Sequence, residues 1–227
     1  MKSSLLLCLV PVLFAACSSV SVKDYHSARG PSRPGHIYVA PFDTSRGTFN
    51  IAGDKTGGKA PEFRKNVATL LADYTVQNIG KHVAPASKVS SAAAAPKSGW
   101  LVTGRFIRVN TGSRGMRVFI GLGAGGTKME TAVEVFDLAG GRGKPFLHFT
   151  TSGGSNAMPG LLSSTGPASA AFSMVSQANT GVTDDSARTS RMIAGGLSEY
   201  FGERGWTPKE KVFKIKKPGD YQLIHGM

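Results

Sequence analysis

The segment TGSRGMRVFIGLGAGGTKMETAVEVFD, residues 111–137, sets the type of sheet that this chain can build. Its second half alternates apolar and polar side chains, which is the pattern of a half-buried β-strand. A helical interpretation based on Met129, Val133 and Phe136 competes, but the Val and Thr content favours a strand. We therefore predict a strand in which one face carries Met129, Thr131, Val133 and Val135, and the other carries Glu130, Ala132 and Glu134.

Four glycines precede this strand. They predict a tight connection from an earlier strand that contains Arg117 to Ile120, because glycine adopts backbone conformations that other residues avoid. The glycines of this structural turn are Gly121, Gly123, Gly125 and Gly126.

Similar patterns on both sides predict the remaining elements. Two segments with apolar residues at helical spacing predict helices, and short runs rich in Val, Ile and aromatic residues predict further strands. The helices are expected from about Pro61 to Ile79, ending before Gly80, and from Asp184 to Gly202, capped by Thr183; the strands are expected at His36–Phe42, Trp100–Val109 and Phe146–Thr151, with an edge strand at Lys211–Lys217.

These elements predict an α+β fold, an α/β sandwich. We expect a small, mostly antiparallel sheet of about four to five strands packed against two helices. The predicted domain spans residues 36–206 and is preceded by a disordered, flexible tether at residues 17–35 and followed by a basic tail at residues 207–227. The tether prediction depends on the Ser, Gly and Pro content of its residues and on the lack of any period.

The first residues, MKSSLLLCLVPVLFAAC, indicate export. Lys2 precedes an apolar run of about ten residues, which is too short to span a bilayer and is typical of a signal peptide. The small residues Ala15 and Ala16 then lead to Cys17. We predict a signal peptide at residues 1–16, cleaved between Ala16 and Cys17.

An insert at residues 153–182 has an unusual composition. No charged residue occurs between Lys144 and Asp184, and the insert is rich in Gly, Ser and Ala. Its composition does not suit a single membrane-spanning helix. Three interpretations stay open: a loop packed on the domain, a contact between subunits, or a hairpin that enters a membrane.

The charge balance favours anionic partners. The chain has 27 Lys and Arg against 14 Asp and Glu, a formal net charge of +13. An exported protein meets anionic lipid head groups and cell-wall polymers, so we expect an anionic envelope surface and no nucleic acid. Cys8 lies in the predicted signal peptide, so Cys17 is the one cysteine expected in the mature chain.

No pattern of residues in the sequence indicates a catalytic site, a metal site or a cofactor site. Gly121, Gly123 and Gly126 match G-x-G-x-x-G, but a strand pattern follows where a dinucleotide site needs a helix. Glu130 and Glu134 share a face and could do acid–base chemistry, although ion pairing with nearby Arg and Lys is the simpler account. The histidines lack the spacing of zinc ligands, and His148 is expected on a strand face; the five are His26, His36, His82, His148 and His225. We predict a non-enzyme without metal or cofactor.

Several of these motifs together resemble a family of proteobacterial lipoproteins known as a domain of unknown function. They are YVAPF, the GLGAGG connection into METAVEVFD, and TTSGGS before MPG, between about His36 and Phe201. LFAAC resembles a lipobox, which implies that Cys17 receives a diacylglyceryl group and becomes the first residue. The alternative is an ordinary secreted protein that is cut near Ala16. Ser18 after that cysteine implies export to the outer membrane, with the lipid anchor on the periplasmic side.

More distantly, the order of elements is similar to the α/β body of the curli-secretion channel lipoprotein. That resemblance implies an oligomer, formed with further copies or with another envelope protein. The sequence thus predicts an outer-membrane lipoprotein with a non-catalytic binding or assembly role. The alternative is an oligomerising, membrane-inserting component of an envelope secretion or transport assembly.

Overall fold

The computed structural model describes residues 20–27, 31–54, 56–112, 127–141, 143–155 and 180–214. These residues form a seven-stranded mixed sheet and two long helices. In chain order the elements are β1 (Val20–Ser27), β2 (Ile37–Val39), β3 (Thr48–Asn50), α1 (Ala60–His82), β4 (Ala86–Lys88), β5 (Trp100–Asn110), β6 (Thr127–Asp137), β7 (Leu147–Ser155) and α2 (Thr180–Glu203).

The centre of the sheet is antiparallel and one side is parallel. The strand order is β1-β7-β6-β5-β2-β4, and β3 also pairs with β5. Strands β1, β7, β6 and β5 pair antiparallel, whereas β2 and β3 run parallel to β5 at its two ends, and β4 runs parallel to β2. The predicted α+β class is confirmed. The expected number of strands was too low because three-residue strands carry too little periodicity to be recognised in a sequence.

The strand predicted from residues 129–135 is confirmed as β6. Its side chains at Met129, Thr131, Val133 and Val135 are all buried, and a hydrogen bond of 2.7 Å joins the hydroxyl groups of Thr131 and Thr151 on β7. A helix at this position is excluded. The alternation in the sequence therefore follows directly from the burial of one face of the sheet.

Strand β5 contains a β-bulge that the alternation of its residues does not predict. The register against β6 shifts between Phe106 and Arg108, so that Phe106 and Val109 are both buried. A bulge of this kind places two residues opposite one and changes which side chains face the core. It brings Arg108 opposite Glu130.

The two helices lie side by side on one face of the sheet and bury most of the apolar core. The backbone of α2 approaches the sheet closely at Gly196, where an added Cβ would lie 3.0 Å from the ring of Phe149. Near the last turn of α2 an aromatic cluster closes the core, formed by Trp100, Phe146, Tyr200, Phe201 and Trp206. Burial of such rings supplies much of the hydrophobic stabilisation.

Both helices are longer than predicted. Helix α1 continues through Gly80 to His82, and α2 begins at Thr180, so Thr183 lies within the helix and does not cap it. The penalty for a helical glycine is about 1 kcal/mol, which packing of the preceding apolar residues, such as Ile79, offsets.

Four segments of the structure differ from the prediction. Val20–Ser27 forms β1 and pairs with β7, so these residues are not part of a flexible tether. Strands β3 and β4 form at positions where the sequence analysis predicts no strand. Residues Lys209–Lys211 form a short 3-10 helix, and residues 212–214 form no strand, so the predicted edge strand is wrong over its described part.

The register defines two ends of the molecule. At one end, here named the Val20 end, lie Val20, Asn50, Asn110, Thr127 and Ser155. At the opposite end, the Trp100 end, lie Ser27, Ile37, Trp100, Asp137 and Leu147. Both helices begin near the Val20 end, since Phe63 of α1 contacts Phe49 and Ser186 of α2 contacts Met129.

Candidate functional site

The Val20 end gathers three segments that are far apart in the sequence. Cys17 precedes Val20 by three positions, and Val20 lies opposite Gly153 in the sheet. Residues 113–126, which include the glycine connection, join Gly112 to Thr127, and residues 156–179 join Ser155 to Thr180. Thr127 and Ser155 are themselves opposite each other. Because paired strands lie about 5 Å apart, the chain enters and leaves these segments within a small area.

Several predicted site residues lie outside the described part of the chain. These are Ala16 and Cys17, the glycines Gly121, Gly123, Gly125 and Gly126, residues 156–179 of the uncharged insert, and residues 215–227 of the basic tail. The structure describes the points at which the chain reaches and leaves these segments. The residues that flank the first three of these segments lie at one end of the sheet, which could not be predicted because it depends on the pairing of β1 with β7.

A buried acidic group lies beside this end. Asp185 on α2 is 1% exposed, and its carboxylate is 3.1 Å from the guanidinium of Arg188. Burial raises the pKa of Asp185 to about 7, although hydrogen bonds from Thr127 and Arg188 and the charge of Arg188 act in the opposite direction. A carboxylate removed from water binds its proton more tightly, and here that effect exceeds the stabilisation by its partners. Asp185 thus ties the start of β6 to α2.

A polar seam continues from Asp185 between the two helices. The amide of Asn78 on α1 donates to the hydroxyl of Ser190 on α2 at 2.9 Å and to the carbonyl of Tyr74 at 3.0 Å. Ser190 in turn donates to the carbonyl of Ala187 at 2.8 Å. Small hydroxyl-bearing residues let the helices approach closely, and their hydrogen bonds offset the cost of burying polar atoms. This seam fixes the packing of α1 on α2.

The two candidate acid–base residues do not form a catalytic pair. Glu130 accepts from Lys128 at 2.7 Å and lies 3.8 Å from Arg108, which agrees with the ion-pair interpretation. Glu134 lies four residues further along β6 on the same face, opposite Thr103 and His148. Four positions along a strand separate two Cα atoms by about 13 Å. Such a distance does not allow the two carboxylates to share a proton.

Of the described histidines, His26 and His148 lie opposite each other on β1 and β7, and the other two lie elsewhere in the domain. His36 lies 2.9 Å from the hydroxyl of Ser87, and the ring of His82 stacks on Phe213 at 3.9 Å. His148 lies within β7, as predicted. Within the ranges that the structure describes, no three His, Cys, Asp or Glu residues come together in a group that could hold a metal ion.

A small cavity of about 170 Å³ lies at the Trp100 end. Its lining includes Arg33, Gly99, Trp100 and Asp137. Sites for small molecules are usually larger, about 300–1,000 Å³. Neither described helix is both long and apolar enough to cross a membrane.

Comparison with known proteins gives a family and two distant structural likenesses. A family model described as "Domain of unknown function (DUF4410)" matches residues 37–182. No curated protein matches the chain. The PelC dodecamer from Paraburkholderia phytofirmans is similar with a TM-score of 0.40 and 11% identity, covering 79% of this chain and 97% of that chain. A leucine-to-methionine variant of that dodecamer has a TM-score of 0.39, with the same 11% identity and the same coverage of 79% and 97%.

Proposed function

We propose that this chain, which belongs to the DUF4410 family of domains of unknown function, is a bacterial outer-membrane lipoprotein. In this role Cys17 carries the lipid, and the domain that begins at β1 binds or assembles with other components of the envelope. The chemistry of the role is binding and not catalysis.

The position of Cys17 relative to β1 is the observation that carries the proposal. Two residues separate this cysteine from Val20, the first residue of a strand paired with β7. The pattern before Cys17 is that of a signal peptide ending in small residues. Two acyl chains on one residue anchor a protein durably, whereas one chain gives only reversible attachment. The sheet would thus be held directly at the lipid surface and not at the end of a long tether.

Two of the described carboxylates, Glu130 and Asp185, support a binding role. Glu130 is paired with Lys128, and Asp185 is enclosed by Arg188 and the start of β6. Both groups have partners within the protein, and the cavity at the Trp100 end contains neither of them. The chain has 27 basic residues against 14 acidic ones, and this excess of positive charge favours an anionic surface as a partner.

The test is the mass and membrane attachment of the protein expressed in a Gram-negative host. We expect the wild-type chain to lack residues 1–16, to carry a lipid on Cys17 and to float with membranes in a density gradient. Cys17→Ala should abolish flotation and the added mass. Cys8→Ala is the matched control, since this cysteine lies in the predicted signal peptide, and it should behave as wild type. An unmodified Cys17, or a Cys17→Ala variant that still floats, would overturn the proposal.

A second candidate function is an oligomerising component of an envelope secretion or transport assembly that inserts into the membrane. It is favoured by residues 156–179, which have no charged side chain and whose two ends, Ser155 and Thr180, meet the same end of the sheet as Val20. Replacement of these residues by a Gly/Ser linker of equal length should convert an oligomer into a monomer in detergent. A wild-type chain that is already monomeric, or an oligomer that the replacement leaves intact, would exclude this function.

A further inference from the structure

The chain turns back along α2 after this helix ends. Gly205 has a φ of +70°, and the backbone N–H of Trp206 donates to the carbonyl of Phe201 at 2.9 Å. A glycine in the left-handed region is a common way to end a helix and reverse the chain. The indole of Trp206 then lies 5.3 Å from the ring of Phe201, at the edge of the core. Residues 206–213 are here named the strap.

Two adjacent residues dock the strap on α2. Val212 packs on Gly202, where an added Cβ would lie 2.6 Å from a methyl group of the valine. The backbone N–H of Phe213 donates to the hydroxyl of Ser198 at 2.8 Å. Gly202 and Ser198 are four residues apart, which is about one helical turn. The strap therefore runs back along α2, in the direction opposite to the helix.

The ring of Phe213 also joins the two helices. The imidazole of His82, at the end of α1, stacks on this ring with 3.9 Å between the centroids and 11° between the planes. The guanidinium carbon of Arg191, on α2, lies 5.3 Å from the centroid of the same ring. The strap thus contacts α1 through His82 and α2 through Arg191, Ser198 and Gly202.

The charged groups around His82 are basic on each of these elements. Lys81 precedes it on α1 and Arg191 acts on it from α2, and burial together with these two charges lowers the pKa of His82. On the strap, Lys211 and Lys214 flank the docked pair and are exposed. An aromatic ring attracts an imidazolium, but burial and the like charges outweigh that attraction here.

Acid therefore favours any state of the protein in which His82 is exposed to water. Detaching the strap exposes the imidazole and breaks a ring stack, one hydrogen bond from Phe213 and the contact of Val212 with Gly202. Unfolding the domain exposes the imidazole as well, but it also breaks the whole core. Local opening of the strap is consequently the less costly response.

We propose that the strap is a pH-dependent switch, which is docked on α1 and α2 at neutral pH and is released when His82 takes up a proton. Release frees the end of the described chain with its three exposed lysines, Lys209, Lys211 and Lys214, and uncovers the surface of α2 around Ser198 and Gly202. This switch goes beyond the proposed function and does not depend on a lipid on Cys17.

Hydrogen exchange of the Phe213 amide, followed by NMR on the full chain, tests the switch. Each rate is divided into the rate of the same amide in an unstructured chain, which gives a protection factor. His82→Phe keeps an aromatic ring at residue 82 but cannot be protonated. Between about pH 7.5 and pH 5, the protection of Phe213 in the wild type should fall at least about threefold more than in His82→Phe.

The amide of Val133, at the centre of the sheet, reports opening of the whole domain. In the wild type, the protection of Phe213 should stay at least about tenfold below that of Val133 at both pH values, because the strap opens without the core. Equal protection of the two amides would mean that the strap opens only when the domain unfolds, which would overturn the proposal.

Two further variants complete the test. His36→Phe is the matched control, since His36 contacts the hydroxyl of Ser87, and it should keep the acid-dependent fall of the wild type. Lys81→Gln removes one neighbouring charge at an exposed position and should lessen that fall, which provides a test that does not require His82→Phe to fold. An acid-dependent fall that His82→Phe retains in full, or that Lys81→Gln leaves unchanged, would contradict the switch.

Discussion

The carboxylate of Asp185 and the guanidinium of Arg188 lie 3.1 Å apart on α2, with Asp185 almost completely buried. The pair lies where the helix meets the first residue of β6, whose hydroxyl also bonds to Asp185. Since burial dominates over these favourable contacts, the pKa of Asp185 in the folded protein is about 7, well above its ordinary value of 3.8. The folded protein thus holds this proton where the unfolded chain releases it.

Asp185 should make the protein less stable as the pH rises. Between pH 4 and pH 7 the folded state binds more protons at this site than the unfolded state, so the free energy of unfolding falls with pH in this interval. We expect the free energy of unfolding of the wild type to fall by roughly 2–3 kcal/mol between pH 5 and pH 9 because of this group. Asp185→Asn should not show this fall. Denaturant unfolding of both proteins at several pH values measures the difference.

The matched control for this prediction is Asp184→Asn, because Asp184 is the exposed neighbour of the buried group. This variant should keep most of the pH dependence of the wild type, because the charge of Asp184 is a smaller cause of the raised pKa of Asp185 than burial. If Asp185→Asn and the wild type lose stability in parallel as the pH rises, Asp185 is ionised in the folded protein and the ion pair with Arg188 outweighs burial.

His82 should affect the pH dependence of stability in the opposite direction from Asp185. Its ring stacks on Phe213 at 3.9 Å, and burial, Lys81 and Arg191 lower the pKa of His82 below 6.5. The unfolded chain then binds the proton more readily, so stability from this group is complete above about pH 6.5 and falls as the pH decreases. His82→Phe keeps the ring and should lessen the loss of stability at acid pH.

The cause of the His82 shift can be tested separately. Phe213→Ala removes the stacked ring and exposes the imidazole to water, so the pKa of His82 should rise towards its ordinary value. An NMR titration of the imidazole protons measures this pKa. An unchanged value in Phe213→Ala would mean that the neighbouring charges, and not burial, set the shift.

Gly104 should not tolerate a side chain. A Cβ at this position of β5 would lie 2.2 Å from the carbonyl oxygen of Ala132 and 2.7 Å from the ring of Phe42. The first of these neighbours belongs to the backbone of β6 and cannot move without disturbing the sheet. We expect Gly104→Ala to lower the free energy of unfolding by about 1–3 kcal/mol.

Gly80 provides the control with the opposite sign. It lies in α1, and a Cβ there would meet no atom within 4 Å. Replacing a helical glycine by alanine stabilises a helix by about 0.5–1 kcal/mol. Thermal unfolding should therefore show a higher midpoint for Gly80→Ala and a lower one for Gly104→Ala. A lower midpoint for both would mean that α1 needs the glycine at residue 80.

The parts of the fold with a long, regular pattern could be predicted from the sequence. The alternation from Met129 to Val135 and the spacing of apolar residues in α1 and α2 locate β6 and both helices. The resemblance to a family of unknown function is confirmed by the match to DUF4410 over residues 37–182. In each case one face of the element is buried over much of its length, so the period is visible in the residues.

The short and edge elements could not be predicted, because their positions are set by distant partners. Val20–Ser27 has the composition of a linker and forms a strand by pairing with β7. Thr48–Asn50 follows a glycine and pairs with the end of β5, which itself is shifted by a bulge. The Val20 end thus exists only in the folded sheet. The role of Cys17 and of the glycine turn from Gly121 to Gly126 stays a prediction.

Glu130 should behave as a surface ion-pair partner. Its carboxylate is 2.7 Å from the ammonium of Lys128 and 3.8 Å from Arg108, and both basic side chains are about half exposed, at 41% and 54%. Exposed pairs of this kind contribute about 0.2–1 kcal/mol, and salt weakens them. Glu130→Gln should therefore lower the free energy of unfolding by less than about 1 kcal/mol, and by a smaller amount in high salt.

Glu134→Gln, on the same face of β6 but opposite Thr103 and His148, is the control and should show no salt-dependent change. A double-mutant cycle with Lys128→Met isolates the coupling, which should vanish at high salt if the contact is electrostatic. A coupling that salt leaves unchanged would instead assign the effect of Glu130 to packing within the sheet.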